Sequence, residues 1–180
     1  MLAPPVTFEI DGTQYVSILT GNGGGDLFSG EAMDPVATPA SETYGNYGRL
    51  LVFKVGGEVQ LPIPNPVDKS IPQQQLADVS EAEIGLGEKS YNTYCAVCHG
   101  LVVRSGGAIA DLRRMNEGTH EIFNQIVLEG VFAGKGMASF SDVLTEEDAE
   151  RIHHYVRARA HEDREHSLGN IEEPKLTWLT

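Results

Sequence analysis

The pattern of apolar and polar positions changes period along the chain. Val6-Thr7-Phe8-Glu9-Ile10 alternates, Asp11-Gly12 is a preferred pair for a two-residue hairpin turn, and Tyr15-Val16-Ser17-Ile18-Leu19 can return as a second strand. A glycine-rich stretch follows from Gly21. Arg49-Leu50-Leu51-Val52-Phe53-Lys54-Val55 then predicts another strand, ended by Gly56-Gly57. Such a set has open edges and little to pack on, so residues 1–60 are expected to be an incomplete β segment. Pro62, Pro64, Pro66 and Pro72 favour an extended connector over 61–79 that can join neither a helix nor an inner strand.

From residue 80 the period is helical. Ser80 and Glu83 have the spacing of a capping box and open a helix running towards Tyr94. Thr119 is expected to begin a second, with Ile122, Phe123, Ile126 and Val127 on one face and Gly130 as its stop. Thr145-Glu146-Glu147-Asp148 starts a third, whose apolar face is Ala149, Ile152, Tyr155 and Val156. Arg151, Arg157 and Arg159 lie further along, the order that suits the helix dipole. The predicted helical domain covers 80–163, followed by a polar tail over 164–180.

Charge narrows the partners. Among 180 residues there are 13 basic and 26 acidic side chains, a formal net charge of −13. The excess is spread over both halves and marks no docking patch. Nucleic acid and anionic membrane surfaces need Lys/Arg stripes and are not expected partners. No apolar run approaches the roughly 18–20 residues of a membrane span, and Met1-Leu2-Ala3-Pro4-Pro5 lacks the basic start of a signal peptide.

The strongest chemical signal is Cys95-Ala96-Val97-Cys98-His99, which contains both cysteines of the chain. C-x-x-C-H is the attachment pattern of c-type haem. Two thiols three apart near a helix end can add to the two vinyl groups of the porphyrin, and the following histidine can ligate iron. A redox C-x-x-C expects a βαβ context that is absent here. A structural zinc site needs about four ligands, and no second cysteine pair or H-x-x-x-H cluster accompanies this one. His99 needs a carbonyl partner for its second ring nitrogen, and Ile109-Ala110-Asp111-Leu112 is the segment expected to supply it. Arg113 or Arg114 is a candidate partner for a haem propionate, the alternative being a solvated surface pair. His120, His153, His154, His161 and His166 read mostly as solvated surface groups.

Gly87, Tyr91 and Cys95 fall four apart on the first helix, and Ile152 and Tyr155 three apart on the last. This resembles the class I cytochrome c fold, where such a glycine and aromatic pack against an aliphatic/aromatic pair. Of the four methionines, Met1 and Met33 precede the motif and Met115 lies close behind it. Met137 sits in the glycine-rich Gly134-Lys135-Gly136-Met137-Ala138-Ser139-Phe140, where cytochromes of this class place their axial methionine. The resemblance thus implies His99 and Met137 as iron ligands, with Cys95 and Cys98 holding the haem.

The order of the whole chain is similar to the end of the β-propeller and the C-terminal cytochrome c domain of PQQ-dependent quinohaemoprotein alcohol dehydrogenases. The matching residues are Phe8 to Val16, Gly48 to Phe53, Cys95 to Gly100, Ser105-Gly106-Gly107, Asp111-Leu112-Arg113 and Gly134 to Phe140. Two departures are Asn22, where the family has Trp, and Ala110, where it has Pro. The implied fold is a few propeller-end strands followed by a mainly α class I cytochrome c domain. The implied cofactor is haem c. PQQ and calcium belong to an upstream domain onto which nothing here maps, so this chain supplies no catalytic residue. The expected role is to take electrons from reduced PQQ in a propeller domain and pass them to a downstream cytochrome, copper protein or quinone, in the periplasm. A segment of a longer precursor accounts for the missing propeller and the missing export signal together. The alternatives are a subunit whose catalytic propeller is on a separate chain, or a free-standing periplasmic electron carrier.

Overall fold

The computed structural model describes residues 4–21, 48–61, 68, 70–105 and 109–169. Asn22 and the rest of the glycine-rich stretch, Pro62, Pro64, Pro66, Gly106-Gly107 and the tail from Asn170 lie outside the described residues.

The three expected strands form: β1 (Val6–Ile10), β2 (Thr13–Thr20) and β3 (Arg49–Lys54) make an antiparallel sheet in the order β1-β2-β3. Asp11 and Gly12 both have positive φ (50° and 74°), the backbone of the tight hairpin turn that the Asp-Gly pair favours. The register pairs Ile10 with Thr13 and Phe8 with Tyr15, whose rings stack 5.3 Å apart. Ile10, Leu19, Leu50 and Phe53 are all more than half exposed. Apolar strand residues left open to water show a sheet that does not bury its own faces.

The helical part begins at α1 (Glu81–Tyr94), capped by Ser80, whose Oγ accepts from the Glu83 amide. The Glu83 carboxylate is turned to Arg151 Nε at 2.7 Å, so its carboxylate serves the helix–helix contact. A single turn, α2 (Ala96–His99), follows directly, and a 3₁₀ turn covers Leu112–Arg114. The middle helix starts earlier than its periodicity predicts: α3 (Glu117–Glu121) is capped by Asn116, whose side chain accepts from Thr119 N at 2.9 Å. It then widens into a π turn at Gln125–Glu129, which ends at Gly130 in the left-handed conformation. The last helix, α4 (Glu146–Ser167), opens with a full capping box between Thr145 and Asp148. It runs four residues into the expected polar tail, where Asp163 faces inward and keeps that end on the protein.

Where α1 crosses α4, Gly87 lies against the Arg151 backbone, and the Tyr91 and Tyr155 rings meet at 5.4 Å. Tyr91, Val103, Phe123, Val127, Leu144, Ala149, Ile152, Tyr155 and Val156 form the buried core around this crossing. The end of the connector also packs on α4: Gln74 is buried and Arg157 donates to the Gln75 carbonyl at 3.1 Å.

Candidate haem site

Cys95 closes α1 and opens α2. The Cys98 and His99 amides both donate to the Cys95 carbonyl, at 3.1 and 2.9 Å, and Gly100 N donates to Ala96 O at 2.8 Å. The motif is therefore one closed helical turn that carries both thiols and His99. Cys95 is buried and Cys98 exposed; both are free thiols. Burial, and then the neighbouring Cys98, push the Cys95 thiol up to about 11, so it stays neutral.

Gly100 has φ 87°, and a Cβ there would stand 1.8 Å from the Arg104 carbonyl oxygen, so only glycine permits this turn. Its own carbonyl accepts from the buried Tyr91 hydroxyl at 2.7 Å. Val102 and Val103 follow with φ 49° and 65°, a left-handed backbone that costs a β-branched residue about 1–2 kcal/mol each. Full burial of the Val103 side chain offsets that cost.

His99 is buried, and its Nδ1 lies 2.9 Å from the Ala110 carbonyl oxygen. A carbonyl only accepts, so Nδ1 carries the proton and Nε2 keeps its lone pair for a metal. Alanine in place of the family's proline leaves this carbonyl available. Met137 and Met115 both pack against the buried core, as do Phe140, Leu128, Leu101 and Leu112. The Met137 loop is tied down at several points. Met137 N donates to Phe132 O at 3.2 Å, Phe140 N to Val127 O at 2.8 Å, and Ser139 Oγ to Leu128 O at 2.5 Å. The last two acceptors belong to the π turn, whose widened backbone presents carbonyls to the loop. Two thiols on one turn, an imidazole with a bare nitrogen, and thioethers on the same apolar core form a donor set that suits haem c. Among the described residues no group of three or more His, Cys, Asp or Glu side chains could hold a metal ion, and no helix is long and apolar enough to cross a membrane.

Arg113 is buried. Its Nε and Nη2 hold Asp111 at 3.0 and 2.7 Å, and its Nη1 reaches Asp163 at 2.8 Å. The structure thus sets this guanidinium between two carboxylates.

Two histidines are not the surface groups their sequence suggests. His120 is buried, with Nδ1 2.8 Å from His153 Nε2, and the His153 ring lies flat on Phe123 at 4.3 Å. Arg157 Nε donates to that same His153 Nε2 at 3.2 Å, which makes it an acceptor and His120 Nδ1 the donor. Burial and the Arg157 charge lower both pKa values, that of His153 to about 3. Helical spacing held a signal for His153, four residues after the buried Ala149, and for Asp163, three after the buried Ala160.

Residues 82–156 match the family described as cytochrome c oxidase, cbb3-type, subunit III. The chain is 41% identical over 165 residues to quinohemoprotein alcohol dehydrogenase ADH IIB of Pseudomonas putida, covering 91% of this chain and 23% of that protein. The solved structure of quinohemoprotein alcohol dehydrogenase ADHIIG from Pseudomonas putida HK5 superposes with a TM-score of 0.73 at 34% identity, over 91% of this chain and 22% of that one. That of quinohemoprotein alcohol dehydrogenase from Comamonas testosteroni gives 0.57 at 26% identity, over 87% and 21%. The chain spans less than a quarter of the length of these relatives. Residues 82–156 form a cytochrome c domain homologous to the haem c domain of quinohaemoprotein alcohol dehydrogenases.

Proposed function

We propose that this chain relays electrons one at a time from reduced PQQ in the propeller domain of a periplasmic alcohol dehydrogenase to a downstream acceptor. The observation that carries the reading is the closed C-x-x-C-H turn with His99 Nδ1 donating to Ala110 O at 2.9 Å. Cys95 and Cys98 would hold the haem through thioethers, with His99 Nε2 and the Met137 sulfur on the iron. With both axial positions filled, haem c supplies outer-sphere electron transfer rather than oxygen chemistry. The chain's own part is to fix the imidazole tautomer, to hold the methionine loop on the core and to exclude water with Phe140, Leu101 and Leu112. Names of the relatives support the alcohol dehydrogenase context, and the exposed apolar sheet suits a neighbouring propeller.

The test is expression of the chain with cytochrome c maturation machinery. Covalent haem with a six-coordinate low-spin spectrum is expected, lost in Met137→Ala and kept in Met115→Ala. The reverse pattern moves the ligand to Met115, and an absence of covalent haem overturns the site. Mixing the loaded chain with a reduced PQQ-bearing propeller tests the donor; no haem reduction refutes that part.

A further inference from the structure

Three guanidinium groups converge on one buried carboxylate. Asp163 Oδ2 accepts from Arg104 Nε at 3.1 Å and from Arg113 Nη1 at 2.8 Å. Its Oδ1 accepts from Arg104 Nη2 at 3.2 Å and from Arg159 Nη2 at 2.8 Å. The side chain is 6% exposed. Arg159 belongs to the same helix, one turn earlier. The other two come from the segment that follows the haem motif, Arg104 from its beginning and Arg113 from beyond Ala110. Arg104 ends the turn that leaves His99, and its carbonyl is the one that crowds Gly100. Arg113 lies in the turn just after Ala110.

That second connection leads directly back to the imidazole. Arg113 is bidentate on Asp111, whose carboxylate also accepts from the Arg113 amide at 3.1 Å. Asp111 is covalently next to Ala110, and the Ala110 carbonyl takes the Nδ1 proton of His99. Asp163, Arg113, Asp111, Ala110 and His99 therefore form one continuous chain of short contacts. We propose that Asp163 is a positioning residue for His99: from the last helix, it fixes the Ala110 carbonyl through Arg113 and Asp111 and so sets the strength of the bond to Nδ1. The proposal rests on the reading of His99 as an iron ligand.

Chemical direction follows. A firm Nδ1–H···O bond makes the imidazole a better donor and favours ferric iron; loosening it raises the reduction potential. Removing the Asp163 charge works in the same direction through electrostatics alone, so a variant that keeps every charge is needed. Arg113→Lys keeps the cation and loses the planar fork that spans Asp111 and Asp163.

The haem-loaded chain is compared with Asp163→Asn, Asp163→Glu, Arg113→Lys and, as a control, Arg151→Ala, which breaks the pair between α4 and Glu83 of α1. Two quantities are measured: the midpoint potential and the solvent-exchange rate of the His99 Nδ1 proton by NMR. Asp163→Asn and Arg113→Lys are expected to raise the potential and speed exchange by roughly tenfold or more, with partial recovery in Asp163→Glu. Arg151→Ala should lower the melting temperature and leave both quantities unchanged. Loss of melting temperature in Asp163→Asn and Arg113→Lys with unchanged potential and exchange overturns the proposal and leaves Asp163 a structural anchor. If Asp163→Asn does not take up haem, Arg113→Lys decides alone. A wild-type chain without His-ligated low-spin haem refutes the ligand reading instead, so the two failures are separable.

Discussion

Gly87 lies so close to Arg151 that a methyl group on it would stand 2.0 Å from the Arg151 carbonyl oxygen and 2.6 Å from its carbon. Backbone cannot swing aside as a side chain can, so a Cβ here must push α1 and α4 apart. Gly87→Ala gains about 1 kcal/mol of helix propensity but loses packing at the centre of the core, where overpacking costs about 1–3 kcal/mol or more. Gly85, two residues earlier on α1, has nothing within 4 Å of its Cβ position. Gly85→Ala should therefore raise the melting temperature and Gly87→Ala lower it. Equal shifts of the same sign in a thermal scan would show that the crossing is looser than described.

Features visible in the sequence are those whose physics is local. Ser80 and Thr145 announce helix starts because the group they satisfy is three residues away, and Gly130 announces a stop because only its own backbone matters. C-x-x-C-H is likewise a single turn. What stayed hidden depends on partners far along the chain. Arg104 and Asp163 are 59 residues apart, and His120 and His153 are 33 apart. Nothing near either histidine says that a second ring will cover it. The π turn was also hidden, because apolar spacing at Ile122, Phe123, Ile126 and Val127 fits an ordinary helix equally well. The groups that dock on its carbonyls, Phe140 N on Val127 and Ser139 Oγ on Leu128, come from further along the chain.

The Tyr91 hydroxyl donates to the Gly100 carbonyl at 2.7 Å, and both are buried. Tyr91→Phe keeps the ring against Tyr155 and leaves that carbonyl without this donor. A net loss of about 1–3 kcal/mol is expected, read as a lower denaturant midpoint with an unchanged slope. An unchanged midpoint would mean that the Gly100 turn holds its shape without the tyrosine.

Ser139 tests the anchoring of the methionine loop. Its hydroxyl donates to Leu128 O, while a Cβ on Gly130 would approach the Ser139 Cβ to 3.1 Å. Ser139→Ala should cost about 1 kcal/mol. Gly130→Ala, at φ 70°, should cost about 1–2 kcal/mol from backbone strain alone. Both are expected to increase proteolysis between residues 130 and 141 before the core opens. Cleavage that starts elsewhere in both variants would detach the π turn from the loop.

The packed pair of His120, buried, and His153, half-buried, makes stability depend on pH. Burial first, and then the Arg157 charge, hold the His153 proton affinity down to about 3, and the same two causes lower that of His120. In the unfolded chain both imidazoles titrate near about 6.5. The unfolded state therefore takes up protons first as pH falls, and the folded state loses ground through that window. The native advantage is complete above about 6.5 and declines towards about 3, each unshared proton contributing roughly 1.4 kcal/mol per pH unit. The Asp163 carboxyl is lowered as well: burial would raise it, but Arg104 and Arg159 outweigh that. Its contribution is lost only below about 3.9, so between pH 5 and 6.5 the histidines dominate the slope. From His153 alone, unfolding free energy should fall by roughly 2 kcal/mol from pH 7 to pH 5. His153→Gln can still accept from Arg157 and carries no titrating group, so it should be less stable at pH 7 but flatter by about one proton over that range. Chemical denaturation of both proteins at several pH values measures this difference. Parallel pH profiles would mean that His153 exchanges protons with solvent as freely folded as unfolded, against its place beneath Phe123 and Arg157.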